Sequence, residues 1–270
     1  MSDALPPLKS FLLTVEGAVA WLRLNRPAQA NSLDAAFWTE LPEALRWIAQ
    51  QPGLRVVVLA AEGKHFCAGI DLGMLRALLA TADGSAAGRA QLVTRITELQ
   101  ASISAIEECP LPVIAAVQGA CVGGGVDLIA ACDLRYCSAD ARFCIKEVDF
   151  GIVADAGTTQ RLRHVIGLQA LSELSLTAET FGAERARALG LVGEVLPELA
   201  QLHQRVAEIA QKIAAKPPIA TQGVKQSLLF ARDHSVAAGL RQVAEWNAAH
   251  GFAAETQAAL QQLEAKRARS

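Results

Sequence analysis

The sequence has no excess of charge of either sign. Its 270 residues include 25 lysines and arginines against 27 aspartates and glutamates, which gives a net charge of −2. Proteins that bind nucleic acids or anionic membrane surfaces depend on clustered basic residues. The balance therefore predicts neither a nucleic acid nor a membrane as a main partner. The short basic cluster of Lys266, Arg267 and Arg269 is typical of a solvated helix end.

Cysteine pairs at redox or metal-binding spacing are also missing. None of the six cysteines lies in a C-x-x-C pair, and the five histidines are scattered without a metal-ligand spacing. In a chain of this size such cysteines indicate reduced, mostly buried thiols of an intracellular protein. We therefore expect no metal site.

No targeting or membrane-spanning segment is visible. Met1–Ser10 lacks a basic start followed by an apolar stretch, and Ala268–Ser270 is not a peroxisomal address. The most apolar region, Leu111–Cys132, contains Gln118 and Asp127. It therefore suits a buried strand, a loop and a helix better than a membrane span of about 20 apolar residues. These features predict a soluble, cytoplasmic protein.

Motifs of the common nucleotide-binding and hydrolytic sites are absent. The sequence contains no G-x-x-x-x-G-K-[ST], no G-x-S-x-G and no H-E-x-x-H. The glycine cluster Gly119–Gly125 (GACVGGG) does not satisfy G-x-G-x-x-G. The chemistry of this protein must therefore come from another arrangement.

The apolar content, 52% of the residues, is high enough for a large core. Strands alternate with helices in the first two thirds, and beyond about Gly157 the pattern is helical almost throughout, which predicts an α/β core with a helical carboxyl-terminal part. Pro42 should kink or split the first long helix, and Met74–Arg89 is the most plausible mobile stretch. The predicted strands are Phe11–Val15, Ala18–Leu24, Arg55–Ala60, Pro112–Val117, Leu134–Cys137 and Arg142–Ile145, and Gly119–Gly125 is predicted as a loop.

Two strand-to-helix junctions share the same chemistry. Each places small residues before an acidic residue and an apolar helix, over Gly63–Leu72 and over Gly119–Leu128. Small residues let a ligand approach the backbone, and the first amides of a helix are unpaired. Two such amides that converge on one oxygen would form an oxyanion hole. The alternative is that these glycines serve only tight turns and helix packing.

Several blocks in this order carry a family resemblance over nearly the whole chain. They are LNRPAQANSL (Leu24–Leu33), FCAGIDL (Phe66–Leu72), PLPVIAAVQGACVGGGVDLIAACDLRYCSADARF (Pro110–Phe143) and KEVDFGIVADAGTTQRL (Lys146–Leu162). The sequence resembles the crotonase (enoyl-CoA hydratase/isomerase) superfamily. The resemblance implies an α/β spiral core of ββα turns over residues 1–200 that binds an acyl-CoA thioester, and a helical region over residues 201–270.

The same resemblance implies the assembly and the thioester site. Apolar stripes at Ile209 and Ile213 and at Leu228 and Leu229 are consistent with a homotrimer or a dimer of trimers, or with packing on the chain's own core. No cofactor is implied beyond the coenzyme A of the substrate. The oxyanion hole would be the amides of Ala68 and Gly124. The coenzyme A path would be lined by Gln29, Ala30, Ala68, Gly69, Ile70, Asp71 and Leu72, with Gly124 as a further substrate contact.

The acidic residues distinguish members of the superfamily. Typical hydratases resemble this chain at Glu147 but carry glutamate in place of Asp127, and usually glycine in place of Asp155. The set Asp127, Glu147 and Asp155 resembles Δ3,5-Δ2,4-dienoyl-CoA isomerases of fatty-acid β-oxidation more closely. We expect Glu147 as the base at C2, Asp155 as the acid at C6 and Asp127 as a residue that orients or tunes them. Gly151 and Gly157 would let the chain fold back so that both acids face one pocket.

Other interpretations of these residues stay open at this point. Asp127 could complement a helix dipole, Glu147 could pair with Lys146, and Asp155 could cap the following helix. The protein could also be a 2-enoyl-CoA hydratase or a Δ3-Δ2-enoyl-CoA isomerase. A non-enzymatic scaffold that binds acyl-CoA or RNA is the third alternative, and it would need a basic surface stripe.

Overall fold

A computed structural model of the chain describes residues 7–251 and 254–267. Residues 1–6, within the segment considered for a signal peptide, lie outside the described residues, as do residues 268–270 at the carboxyl end and the side chain of Lys266. Among the described helices, none combines the length and the hydropathy that crossing a bilayer requires.

The described residues form nine strands, eleven α-helices and two short 3-10 turns. The strands are β1 (Phe11–Glu16), β2 (Val19–Leu24), β3 (Val56–Ala61), β4 (Val113–Val117), β5 (Ala120–Val122), β6 (Leu134–Ser138), β7 (Arg142–Cys144), β8 (Phe181–Gly182) and β9 (Glu194–Leu196). The helices are α1 (Ala35–Gln50), α2 (Leu72–Thr81), α3 (Ala86–Glu108), α4 (Gly124–Ala131), α5 (Thr158–Leu162), α6 (Gly167–Thr177), α7 (Ala183–Ala188), α8 (Leu199–Ala214), α9 (Pro218–Asp233), α10 (Val236–His250) and α11 (Ala254–Arg267). The 3-10 turns are Pro27–Gln29 and Glu147–Phe150.

The strands form two sheets, and beyond β4 the chain passes between them several times. The larger sheet has the order β1-β2-β3-β4-β6-β9 and is parallel except for the β1–β2 hairpin; the smaller has the order β5-β7-β8. After β4 the chain adds β5 to the smaller sheet and then forms α4. After β3 it makes an isolated parallel bridge from Cys67 to Cys121 of β5 and then forms α2. This repeated unit confirms the predicted ββα spiral.

The predicted hairpin and the other predicted strands are confirmed within a residue or two. The short strands β5, β8 and β9 were missed, because strands of two or three residues are stabilised by their neighbours rather than by their own sequence. The predicted loop Gly119–Gly125 therefore contains β5. Most of the stretch Met74–Arg89 is helical, in α2 and the start of α3.

Both faces of the larger sheet are covered. Side chains of β3 and β4 alternate between a core shared with α1, α3 and α4 and a second core shared with α8. On α8, the second core contains Leu202, Val206 and Ala210, with Ile209 and Ile213 packed against it. The apolar stripe of α8 thus packs on the chain's own sheet, although this helix lies almost entirely beyond residue 200.

Pro42 lies inside α1 without splitting it. A proline has no N–H to donate to the carbonyl four residues before it, which here belongs to Trp38. The hydroxyl of Ser102 on α3 donates to that carbonyl instead, at 2.7 Å. The carbonyl that Pro42 leaves unpaired is therefore satisfied by a neighbouring helix, and α1 continues to Gln50.

This compensation predicts an unusual double-mutant result. Ser102→Ala should lower the free energy of unfolding by about 1–3 kcal/mol, because the buried carbonyl of Trp38 loses its partner. In a Pro42→Ala background the new N–H can take over, so Ser102→Ala should cost clearly less. Urea denaturation of the four proteins measures the cycle. Equal costs in both backgrounds would contradict the compensation.

Candidate active site

The bridge between Cys67 and Cys121 places the two strand-to-helix junctions side by side. Gly69 has a φ of +95° and Gly123 a φ of +51°, backbone conformations that favour glycine. A methyl group built on Gly69 would lie 3.2 Å from the carbonyl oxygen of Val122 and 3.9 Å from the amide nitrogen of Gly124. The absence of a side chain at Gly69 thus allows the close approach of the two backbones.

Gly124 supplies one amide at this contact that, among residues 7–251 and 254–267, donates to no backbone group outside the regular elements. It is the first residue of α4, so its N–H has no acceptor within the helix. The other predicted donor was wrong. The amide of Ala68 donates to the carbonyl of Ala30 at 3.0 Å, so it is not available to a ligand.

The amide of Ile70 is the better second donor. In the parallel bridge between Leu33 and Ile70, the carbonyl of Gly69 and the amide of Asp71 bond to Leu33. Amides alternate in direction along an extended segment, so the N–H of Ile70 is directed away from Leu33. Within residues 7–251 and 254–267 it donates to no backbone group outside the regular elements. A methyl group built on Gly124 would lie 4.0 Å from its nitrogen.

A cavity of about 160 Å³ lies beneath these two amides. All three predicted acids, Asp127, Glu147 and Asp155, line it together with both junctions. Apolar side chains form much of the remaining wall: Trp38, Leu72, Leu75, Leu78, Leu99, Val122, Phe150 and Ile152. The cavity is therefore a largely apolar space that contains two free backbone donors and three carboxyl groups.

Asp127 is a buried acid in the first turn of α4, 2% exposed. Its Oδ1 accepts hydrogen bonds from the amide nitrogen and the hydroxyl of Thr158, at 2.7 and 2.6 Å. Burial raises the pKa of Asp127 to about 6, and the Thr158 bonds oppose that rise. Asp127 therefore lines the cavity and also fixes the start of α5.

Glu147 begins the 3-10 turn after β7, and its carboxylate lies against the glycine loop. Its Oε1 would be 3.1 Å from a methyl group built on Gly123, and its Oε2 is buried without a partner among the described groups. Burial, with the nearby charge of Asp127, raises the pKa of Glu147 to about 7. Lys146 pairs with Asp149 instead, so the ion pair considered from the sequence does not form.

Asp155 lies where the apolar cavity borders a second, polar cavity of about 400 Å³. Asp155 is an exposed residue, although desolvation where it meets the cavity wall still raises its pKa. It does not cap α5, because the amide of Thr158 donates to Asp127. As expected, Gly151 and Gly157 have φ values of +72° and +120° and bring Glu147 and Asp155 to the same cavity.

The predicted coenzyme A path is only partly on the cavity wall. Ala68, Gly69, Ile70 and Leu72 line it. Asp71 caps α2 by accepting the amide of Gly73 and lies 3.3 Å from Arg26, while Gln29 is exposed and the carbonyl of Ala30 bonds to Ala68. The binding roles of Gln29, Ala30 and Asp71 stay predictions. In the described part of the chain, no three His, Cys, Asp or Glu side chains are grouped as a metal site.

Comparisons with known proteins agree with this geometry. A peroxisomal Δ3,5-Δ2,4-dienoyl-CoA isomerase of Arabidopsis thaliana is 48% identical over 237 residues, 87% of this chain and 85% of that protein. A mitochondrial enzyme of the same name from Homo sapiens is 44% identical over 232 residues, 85% of this chain and 71% of that protein. The crystal structure of a putative enoyl-CoA hydratase from Thermobifida fusca in complex with acetoacetyl-CoA superposes with a TM-score of 0.80 and 31% identity, and covers 89% of this chain and 94% of that one.

The spiral of paired strands with two facing junctions defines the crotonase class of fold. The family model for enoyl-CoA hydratase/isomerase matches residues 14–268, and this chain belongs to that family.

The raised pKa of Glu147 lowers the free energy of unfolding at high pH. In the folded chain Glu147 keeps its proton up to about pH 7, whereas the unfolded chain loses it near 4.5. The unfolded state binds fewer protons between these values, so the free energy of unfolding falls as pH rises through that window. Glu147→Gln removes this titration and should stabilise the fold by about 1–3 kcal/mol at pH 8, and by less at pH 5.

Urea denaturation at both pH values measures the difference. The exposed Glu43→Gln on α1 is a matched control and should change stability little at either pH. A gain for Glu147→Gln that is equal at pH 5 and pH 8 would show that the raised pKa is not its cause.

Proposed function

We propose that this protein is an isomerase that converts 3,5-dienoyl-CoA to 2,4-dienoyl-CoA. The observation that carries the proposal is that Glu147, Asp155 and Asp127 all line one cavity together with Ile70 and Gly124, whose amides can bind an oxygen. Similarity to proteins named Δ3,5-Δ2,4-dienoyl-CoA isomerase over more than four fifths of the chain supports it.

The reaction begins with removal of a proton from C2. The thioester oxygen accepts hydrogen bonds from the amides of Ile70 and Gly124, which are fixed by the fold before the charge develops. Glu147 takes the C2 proton, and the electron pair spreads over the thioester oxygen and the conjugated carbons. Loss of one such oxyanion donor typically costs about 10² to 10³ in rate, so these amides are a large part of the stabilisation.

The reaction ends with delivery of a proton to C6 by Asp155. The double bonds at C3–C4 and C5–C6 are replaced by double bonds at C2–C3 and C4–C5, and no atom is gained or lost. One proton must then pass from Glu147 back to Asp155. Because only protons move, we propose that the enzyme uses no cofactor beyond the coenzyme A of its substrate.

The positions of the two acids support their assignment to different carbons. The carboxylate of Glu147 lies against Gly123, next to the amide that would hold the thioester oxygen, and so near C2. Asp155 lies at the border with the polar cavity, where a more distant carbon would be placed. A pKa of about 7 suits Glu147 as a base near neutral pH, and the raised pKa of Asp155 helps it to carry a proton.

A 2-enoyl-CoA hydratase would use this site differently. In hydratases two carboxylates hold the water that is added, and here one of them, Asp127, is shorter and has its Oδ1 occupied twice by Thr158. The geometry therefore favours isomerisation over hydration.

The direct test supplies 3,5-dienoyl-CoA and follows the ultraviolet absorbance of the 2,4-dienoyl product. We expect isomerisation well above any hydration of 2-enoyl-CoA measured in parallel. Hydration without isomerisation would identify a hydratase, and failure to bind any acyl-CoA would favour a non-enzymatic scaffold.

Variants of the two acids separate their roles. Asp155→Asn should lower the isomerisation rate by about 10² to 10⁴ while acyl-CoA binding is largely retained, because only the proton donor is lost. Glu147→Gln should also abolish exchange of the C2 proton with D₂O, measured by mass spectrometry. Unchanged turnover in Asp155→Asn, or retained C2 exchange in Glu147→Gln, would remove that residue from the mechanism.

We also propose that the protein forms a homotrimer or a dimer of trimers through its carboxyl-terminal helices. Leu228 on α9 and Leu240 on α10 are 69% and 65% exposed. Large exposed apolar side chains are typical of a surface that another subunit covers. Light scattering should give a mass of three or six subunits, and Leu228→Asp with Leu240→Asp should reduce it. A monomeric wild-type protein would contradict the proposal.

The cytoplasmic location stays a prediction, since the two relatives are named peroxisomal and mitochondrial.

A further inference from the structure

The segment that carries Asp155 is held by its backbone at successive residues. The carbonyl oxygen of Asp155 accepts a hydrogen bond from Nε2 of Gln100 on α3, at 2.7 Å. The carbonyl oxygen of Ala156 accepts one from Nη1 of Arg161, at 3.0 Å. At the end of the segment, Thr158 is bonded to Asp127. The direction of the Asp155 side chain therefore depends on groups outside the segment.

Arg161 makes one of these attachments and also contacts α3. Besides the bond to Ala156, its Nη2 donates to the hydroxyl of Ser104 at 3.0 Å. Its Nε forms an ion pair with a carboxylate oxygen of Glu107 at 2.9 Å, without the alignment of a hydrogen bond. A methyl group built on Gly157 would lie only 1.6 Å from Nη1. The guanidinium group thus lies directly over Gly157 and fills the space where any other residue would place its side chain.

Glu107 connects this arginine to the carboxyl-terminal helices. Its other carboxylate oxygen pairs with Arg232 on α9, and the side chains of Arg161 and Glu107 are only 11% and 15% exposed. Close by, the ammonium group of Lys225 on α9 lies 2.9 Å from Asp133 and donates to the carbonyl of Ile106 at 3.0 Å. Helix α9 is therefore fixed to the end of α3 beside Glu107.

We propose that Arg161 is a positioning residue for isomerisation, which fixes the Asp155 segment against α3 and, through Glu107 and Arg232, against α9. The inference rests on the proposed function. It follows from geometry: one planar guanidinium joins the carbonyl beside Asp155, a hydroxyl on α3 and a carboxylate that also binds α9. Lysine has a single ammonium group and cannot reproduce that fork.

The proposal predicts that loss of Arg161 affects one proton transfer and not the other. In Arg161→Gln, kcat for isomerisation should fall about 10²-fold, because a displacement of about 1 Å of a catalytic group can cost that much. Deuterium exchange at C2 of recovered 3,5-dienoyl-CoA in D₂O depends on Glu147 and should stay close to wild type, as should KM. Arg161→Lys should recover only part of the loss.

Matched variants keep the test decisive. Arg185→Gln removes a half-buried arginine with two carboxylate partners that lines neither of these cavities, and should leave both rates unchanged. Gln100→Leu removes the side-chain bond to the carbonyl of Asp155 and should lower kcat with the same retention of C2 exchange. If Arg161→Gln does not fold, Arg161→Lys and Gln100→Leu provide the same comparison.

Two outcomes would overturn the inference. Isomerisation at the wild-type rate in Arg161→Gln would show that the segment does not need it, and parallel losses of C2 exchange and isomerisation would indicate general damage to the fold. A wild-type protein with no isomerisation at all would refute the proposed function itself, and is distinguished from both by the behaviour of the wild type alone.

Discussion

The site depends on the parallel backbone bridge between Cys67 and Cys121, which are both free thiols. The bridge joins one residue from each of two junctions that leave neighbouring parallel strands, and it brings Gly69 against Gly124. Without this pairing the amides of Ile70 and Gly124 would belong to two separate loops. With it, two unpaired donors face one cavity, in positions set by the backbone and not by flexible side chains. Preorganised donors of this kind need no rearrangement when charge develops on a substrate.

The three acids line the same cavity, and each is positioned by different contacts. Asp127 is fixed on a helix turn and bonded to Thr158, Glu147 lies against the glycine loop, and Asp155 is on a segment held from outside. Their protonation differs for the same reason. Burial raises all three pKa values, but the Thr158 bonds oppose the rise at Asp127, whereas Glu147 has an oxygen without a partner. Asp127 therefore has one carboxylate oxygen bonded to two donors, whereas Glu147, with a pKa of about 7, can gain or lose its proton near neutral pH.

Much of this could be predicted from the sequence. Continuous apolar runs predicted β3 and β4, and the family blocks placed Asp127, Glu147 and Asp155 in one pocket. The oxyanion donor predicted at Ala68 was wrong, because residue type does not reveal that this amide is already bonded to the carbonyl of Ala30. The strands β8 and β9 were missed because their partners are distant in sequence. Nor could a sequence show that Ser102, sixty residues from Pro42, would donate to the carbonyl that Pro42 leaves without a partner in α1.

That last contact has a consequence for the shape of the cavity. A hydrogen bond inside a helix stabilises only that helix, whereas the bond from Ser102 to Trp38 fixes the position of α1 relative to α3. Trp38 and Leu99, one from each of these helices, are both part of the cavity wall. Because Pro42 cannot supply this bond within α1, the bond comes from α3 and connects the two helices. The spacing between α1 and α3, together with the sizes of the lining side chains, therefore sets the width of the space available to an acyl chain.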